Sequence, residues 1–97
     1  MELPPLYKRV LAGPEVAAIF DDVGACTDVA DLRWRPVAGH ERGEPDEGQL
    51  ARLCDALLRG EVWSVQVCYR WSGSGWIDTF LKRPEGFEVV RTPVPDR

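Results

Sequence analysis

The sequence predicts an α+β domain in which an antiparallel β-meander of three to four strands carries one main helix packed on one face, with a short N-terminal helix besides. Three observations support this prediction. The last third of the chain alternates apolar and polar residues with a period of two, and glycine-containing turns interrupt it. Leucines recur at helical spacing just before that region. The 97 residues suffice for one domain, 1–97, whose ends at 1–5 and 93–97 we expect to be flexible.

The first quarter of the chain predicts a strand followed by a helix. Leu6–Leu11 is a short mixed run that we assign to a strand. Gly13-Pro14-Glu15 then opens a helix, because proline fits the first helical position and glutamate suits the positive N-terminal end. An apolar stripe follows, which Gly24 can end. The stripe consists of Val16, Ile19, Phe20 and Val23.

A further strand is predicted over Leu32–Val37, where apolar residues alternate with arginines. Because Pro36 cannot donate a ladder hydrogen bond, this strand lies at a sheet edge or ends there. The polar, glycine-containing stretch Ala38–Pro45 that follows is predicted to be a loop.

The strongest helix signal begins at Asp46, whose side chain can cap a helix. Gln49 lies three residues later and completes a capping-box pattern. The helix runs to Arg59, and Gly60 ends it. Its apolar stripe must be buried against the sheet, and consists of Leu50, Leu53, Cys54, Leu57 and Leu58.

Two turns set the register of the predicted meander. Its strands are Glu61–Trp71, Trp76–Arg83 and Phe87–Thr92. We take Gly73-Ser74-Gly75 as a three-residue loop, which places Arg70 opposite Asp78. A loop of two or four residues would place Asp78 opposite Tyr69 on the apolar face, where an unpaired carboxylate is strongly unfavourable.

The second turn, Pro84-Glu85-Gly86, places Lys82 opposite Glu88, so both turns generate a cross-strand pair of opposite charges. This register gives the meander a core face and a mixed face. The core face contains Trp63, Val65, Val67, Tyr69, Trp71, Ile77, Leu81, Phe87 and Val89. The mixed face is the predicted partner-binding surface, and its residues are Cys68, Arg70, Trp76, Asp78, Phe80 and Val90.

Composition and spacing exclude several functional classes. A net charge of −4 argues against general nucleic-acid or anionic-membrane binding, which requires a basic surface. The three cysteines are unclustered, which indicates a reducing cytoplasm instead of a disulfide scaffold. With the single histidine, His40, they match no zinc pattern, and we expect no metal, no cofactor, no signal peptide and no membrane-spanning segment.

These observations favour a small acidic, non-enzymatic protein-interaction module of the accessory, inhibitory or immunity type, which docks through a sheet face or edge. Glu61–Trp71 needs a neighbouring strand, which Leu32–Val37 or a second copy of the chain would supply by strand addition. One alternative is a small ligand-binding protein or enzyme with a pocket near the 38–45 loop and His40 as its polar group. Another is a single-stranded nucleic-acid binder. That binder would use Arg33, Trp34 and Arg35.

Overall fold

A computed structural model describes residues 8–36 and 49–94 of the chain. The described elements are β1 (Lys8–Leu11), α1 (Gly13–Cys26), β2 (Asp28–Pro36), α2 (Gln49–Arg59), β3 (Val62–Trp71), β4 (Ser74–Arg83) and β5 (Gly86–Pro93). Several predicted features lie outside the described residues. These are the chain ends at 1–5 and 95–97, the start of the first strand at Leu6, the end of another at Val37, the loop Ala38–Pro45 with His40, and the helix cap Asp46.

The strands form one antiparallel five-stranded sheet in the order β1-β5-β4-β3-β2. The predicted class is confirmed, but the predicted count of three to four strands is too low. Both N-terminal strands join the sheet, one at each edge. β2 pairs with β3 along nearly its whole length, so the chain itself supplies the neighbour that β3 needs. β1 covers β5 in the same way at the opposite side.

Both helices pack on the same face of the sheet and share one apolar core with it. The rings of Phe20 on α1 and Phe80 on β4 are in contact, with centroids 4.4 Å apart. Leu57 on α2 and Val65 on β3 are completely buried in the same cluster. The predicted stripes of α1 and α2 are therefore confirmed as the surfaces that face the sheet.

The helix α1 starts where the sequence predicts but ends later. The backbone N–H of Ala12 donates to Glu15 Oε1 at 3.1 Å, half of a capping box, at the predicted start. The helix continues two residues beyond Gly24, the predicted end, until Thr27 caps it through Val23 O. Gly24 instead permits close helix packing, since a Cβ there would lie 3.1 Å from Leu50 Cδ2 on α2.

The first turn of the meander differs from the prediction and changes the register. The loop contains two residues, Ser72 and Gly73, with φ of 53° and 82°, the pattern of a type I′ hairpin turn. Arg70 consequently lies opposite Gly75, and Asp78 lies opposite Val67. The predicted pairing of Arg70 with Asp78 is wrong, and the strand faces of β4 are reversed.

The second turn also contains two residues, Pro84 and Glu85, because Arg83 pairs with Gly86. Lys82 therefore lies opposite Phe87, over whose ring its ammonium sits at 4.9 Å, so the predicted Lys82–Glu88 pair is wrong. Gly86 has φ of 149°, and a Cβ there would meet the carbonyl oxygen of Leu11 at 2.7 Å. Only glycine fits this position, where β1 crosses close to the turn.

The corrected register redistributes the core. Five predicted core positions are confirmed as buried: Val65, Val67, Tyr69, Phe87 and Val89. Ile77 and Leu81 were predicted inside but point to the opposite side of β4, because Phe80 and Asp78 occupy the core side. Trp71 is partly buried against the core.

Trp63 is the third misplaced core position. The β2–β3 ladder is irregular between Arg35 and Pro36, where Arg35 pairs with Ser64 and Pro36 with Val62. The bulge turns Val62 into the core, and the side chain of Trp63 remains 47% exposed. The regular alternation of core-facing and outward-facing side chains that was predicted for β3 is therefore broken at the start of the strand.

Candidate functional site

The face of the sheet that carries no helix in the described structure is the candidate site, and we call it the helix-free face. Its side chains form rows across the strands, because antiparallel partners point to the same side. One row contains Arg35, Ser64, Leu81, Glu88 and Val10. The next contains Arg33, Gln66, Thr79, Val90 and Lys8. A third contains Asp31, Cys68, Ile77 and Thr92.

An apolar centre occupies this face. Ile77 and Leu81 lie on either side of Thr79 along β4, and Val90 lies directly opposite Thr79 on β5. Cys68 on β3 pairs with Ile77 and extends the cluster. These side chains are only partly exposed, so the face is neither a second core nor an open water-facing surface.

Basic side chains flank the apolar centre. The basic residues described on this face are Lys8, Arg33, Arg35, Arg70 and Arg83, and the acidic ones are Asp28, Asp31 and Glu88. Glu88 contacts two cations, with Lys8 Nζ at 3.4 Å and Arg83 Nε at 3.0 Å, and the hydrogen bond from Arg83 lowers the pKa of its carboxyl. Among the described residues, the face thus has five basic and three acidic side chains, in a chain whose net charge is −4.

A groove of about 600 Å³ crosses the β2 side of this face. Arg33 and Arg35 on β2 line it together with Trp63 on β3. Its floor contains Gln66 and Thr79, whose side chains are joined by a 3.3 Å hydrogen bond from Gln66 Nε2 to Thr79 Oγ1. The groove continues to Leu81 at the apolar centre.

The two groove arginines differ in their contacts. Arg33 Nε donates to Asp31 Oδ2 at 2.9 Å, and this hydrogen bond raises the pKa of Arg33. Its two terminal nitrogens remain available as donors. Arg35 is exposed and forms no ion pair with any residue in the described part of the chain.

The core face contains a buried polar cluster instead of a purely apolar surface. Arg91 Nε and Nη2 donate to the two carboxylate oxygens of Asp78, each at 2.8 Å, and Tyr69 Oη donates to Asp78 Oδ1 at 2.9 Å. Asp78 is fully buried and Arg91 is 5% exposed. Burial, followed by the charge of Asp78, raises the pKa of Tyr69 above its usual range.

This cluster is fully enclosed and therefore lacks access to a substrate. Burial alone would lower the pKa of Arg91, but the hydrogen bonds and charge of Asp78 outweigh that effect and raise it. The arrangement is that of a structural ion pair, satisfied on both sides.

The structure divides the six residues of the predicted partner-binding surface between the two faces. Cys68, Arg70 and Val90 lie on the helix-free face. Asp78 and Phe80 are fully buried on the core face, and Trp76 packs partly against the core. A charged substitution at Phe80 would therefore test the fold and not a docking surface.

The sequence analysis assigned three residues of the helix-free face to the core: Trp63, Ile77 and Leu81. The available signal was the type I′ alternative at Ser72-Gly73, which reverses β4 and brings Ile77 and Leu81 outside. Trp34, named with Arg33 and Arg35 as a stacking surface, is 6% exposed and belongs to the core.

A second depression of about 400 Å³ lies between α1 and α2. Its apolar walls include Phe20 and Leu58, and Asp21 and Asp55 stand at its rim. Within residues 8–36 and 49–94, no three His, Cys, Asp or Glu side chains are grouped so that they could hold a metal ion.

No protein-family model, curated protein or solved structure shows significant similarity to this chain. In the part of the chain that the structure describes, neither helix has the length and apolar character needed to cross a membrane.

Proposed function

We propose that the chain is a small, non-enzymatic protein-interaction module that docks on a partner protein through the helix-free face of its sheet. The observation that carries this proposal is the arrangement of that face, where an apolar centre lies between basic flanks and beside a groove of about 600 Å³. Protein-binding surfaces typically combine an apolar, partly dehydrated centre with a polar rim in this way.

The two edges of the sheet support docking less well. Lys8 and Arg9 lie on β1, and β2 places Asp31, Arg33 and Arg35 on its helix-free side. Charged side chains are a feature by which proteins prevent pairing at sheet edges. Self-association through strand pairing is accordingly not our leading proposal.

The proposed module belongs to a reducing compartment such as the cytoplasm. Cys26, Cys54 and Cys68 are all free thiols, and Cys54 is buried on the helix side while Cys68 lies on the helix-free face. Intracellular proteins commonly contain isolated cysteines of this kind.

Site-specific photo-cross-linking in lysate from the native source tests the docking surface. A photoreactive residue at Leu81 should give an adduct of defined mass, because this position lies at the middle of the helix-free face. The matched control is Ala18, an exposed position on α1, which should give no such adduct. Leu81→Lys should remove the partner from a pull-down, whereas Ala18→Lys should retain it.

The result that contradicts the proposal is an adduct that forms equally at both positions, or none at Leu81 under conditions where the protein is folded. An adduct with twice the mass of the chain would identify a second copy as the partner. Solution mass measured on the purified protein separates that outcome from binding to another protein.

A further inference from the structure

The groove on the helix-free face has chemistry that selects among protein partners. Its cationic side comes from Arg33 and Arg35, which point from β2, while its apolar side comes from Leu81 on β4. Between them lie neutral groups on β3 and β4, of which Gln66 retains an amide oxygen that can accept a hydrogen bond. The groove therefore changes from cationic to apolar across three strands.

From these contacts we infer that the groove binds an acidic, extended segment of a partner protein, in which an acidic residue and an aliphatic residue lie two positions apart. This inference rests on the proposed docking function and specifies the chemistry of its partner. The carboxylate would pair with the guanidinium of Arg35 and with the terminal nitrogens of Arg33. The aliphatic side chain would cover Leu81.

The spacing follows from the sheet. Adjacent strands are about 4.8 Å apart, so the backbones of β2 and β4 are separated by roughly 10 Å. An extended segment advances about 3.3 Å per residue, and its side chains at i and i+2 point to the same side about 7 Å apart. The difference of roughly 3 Å between these two distances is covered by the long arginine side chains, which can reach from β2 toward the bound segment. A carboxylate at i and an aliphatic group at i+2 therefore reach Arg35 and Leu81 together.

Trp63 also lines this groove. It is 47% exposed beside the bulge between Val62 and Ser64, and it adjoins Arg33 and Arg35 in the lining. Both arginines are exposed, so their pairs with a partner carboxylate are open to screening by salt.

A polyanion such as single-stranded nucleic acid fits the groove less well. Trp63 is the one aromatic residue strongly exposed among the described residues, whereas stacking platforms require several such rings in succession. The neighbouring surface is aliphatic, with Leu81, Ile77 and Val90.

Fluorescence anisotropy of a labelled peptide tests the inference directly. The probe is a peptide of three Glu-Ser-Leu-Ser repeats, which places its glutamates and leucines on one side when extended. We expect saturable binding at low ionic strength and weaker binding as salt is added. The same peptide with glutamine in place of glutamate should bind at least about tenfold more weakly, a loss of about 1.4 kcal/mol.

Variants of the chain locate the site. Arg35→Gln alone and Arg33→Glu with Arg35→Glu should each weaken peptide binding about tenfold or more, since charge-assisted pairs are lost. Arg52→Glu is the matched control, because Arg52 is an exposed arginine on α2, on the far side of the sheet. It should change the affinity less than twofold. Chemical-shift changes on peptide addition should appear at the amides of Gln66 and Thr79.

Three results would overturn the inference. These are peptide binding that does not saturate, a glutamine peptide that binds as tightly as the glutamate peptide, and a loss of affinity in Arg52→Glu as large as in the groove variants. Tighter binding of a thymidine oligonucleotide than of the peptide, with steep salt dependence, would assign the groove to nucleic acid instead. If the peptide does not bind while cross-linking at Leu81 still gives an adduct, the proposed docking surface is retained and the proposal of an acidic partner segment is rejected.

Discussion

The buried pair of Asp78 and Arg91 gives the sharpest test of the fold. The bidentate contact consists of two 2.8 Å hydrogen bonds, and both side chains are almost completely removed from solvent. Removing one partner leaves an uncompensated charge inside the core, which costs about 3–5 kcal/mol in other buried pairs. We therefore expect Asp78→Leu and Arg91→Met each to lower the free energy of unfolding by about that amount, and the Tm by roughly 12–40 °C.

The double variant should be far more stable than the sum of the single variants predicts. With both charges replaced by apolar groups, the main remaining penalty is the hydroxyl of Tyr69, which loses its acceptor at a cost of about 1–3 kcal/mol. The coupling energy in a double-mutant cycle should accordingly be about 3 kcal/mol or more. Adding Tyr69→Phe to the double variant should recover part of the remaining loss.

Urea unfolding followed by tryptophan fluorescence measures each variant, and equal m values confirm that the denatured states are comparable. The control cycle uses Asp31 and Arg33, a pair of the same chemistry on the exposed side of β2. Its coupling should be indistinguishable from zero. Single variants at Asp78 and Arg91 that each cost less than about 1 kcal/mol, with additive effects, would show that this pair is not buried and would refute the register.

Three further predictions concern individual positions. Gly86→Ala should destabilise the protein by about 1–3 kcal/mol and by more than Gly73→Ala, as urea unfolding will show, because both have positive φ but only Gly86 meets backbone, at Leu11 O. The raised pKa of Tyr69 means that the folded state retains this proton longer than the unfolded one, so its contribution to stability is present below about pH 10 and is lost as pH rises further. Between pH 9 and 11, the free energy of unfolding should decline less steeply with pH in Tyr69→Phe than in the unmodified protein. An equal slope in the two proteins would contradict this prediction. Burial raises the pKa of Cys54 from 9.0 to about 11, so mass-spectrometric rates of its alkylation by iodoacetamide should keep rising beyond pH 9 in the folded protein.

The sequence predicts most of the elements because they depend on local chemistry. The stripe of α2 and its terminal Gly60 are read from neighbouring residues along the chain, and both are found in the structure. The strands β3, β4 and β5 follow from alternation and turn residues in the same way. Local signals also predict the start of α1, where Glu15 Oε1 accepts a hydrogen bond from the backbone N–H of Ala12.

The register could not be predicted by the same means, because it depends on a partner distant in sequence. The prediction rejected a buried Asp78 on the ground that a lone carboxylate is strongly unfavourable in a core. That argument is sound for a lone carboxylate, but Arg91 lies directly opposite on β5 and supplies the compensating charge. Whether a buried Asp78 is unfavourable thus depended on the second turn, which places Arg91 opposite it. The predicted loop of that turn was one residue too long.

The exposed position of Trp63 has a similar origin. Alternation along β3 assigns it to the core together with Val65, and only the pairing with β2 reveals the bulge. Pro36, which cannot donate a ladder hydrogen bond, lies at the irregularity. The bulge beside this proline coincides with the exposed Trp63 that lines the groove.

The buried ion pair links the stability of the fold to the chemistry of the helix-free face. A slip of β4 by one residue would reverse its faces, taking Asp78 away from Arg91 and exchanging Phe80 for Leu81 in the core. Apolar residues alone would distinguish these two arrangements poorly, since Ile77 and Leu81 are about as hydrophobic as the residues that they would replace. The pair of charges distinguishes them strongly, because only one arrangement leaves both of them paired. The register that satisfies Asp78 and Arg91 is therefore the one that presents Ile77 and Leu81 outside, beside the arginines of the groove.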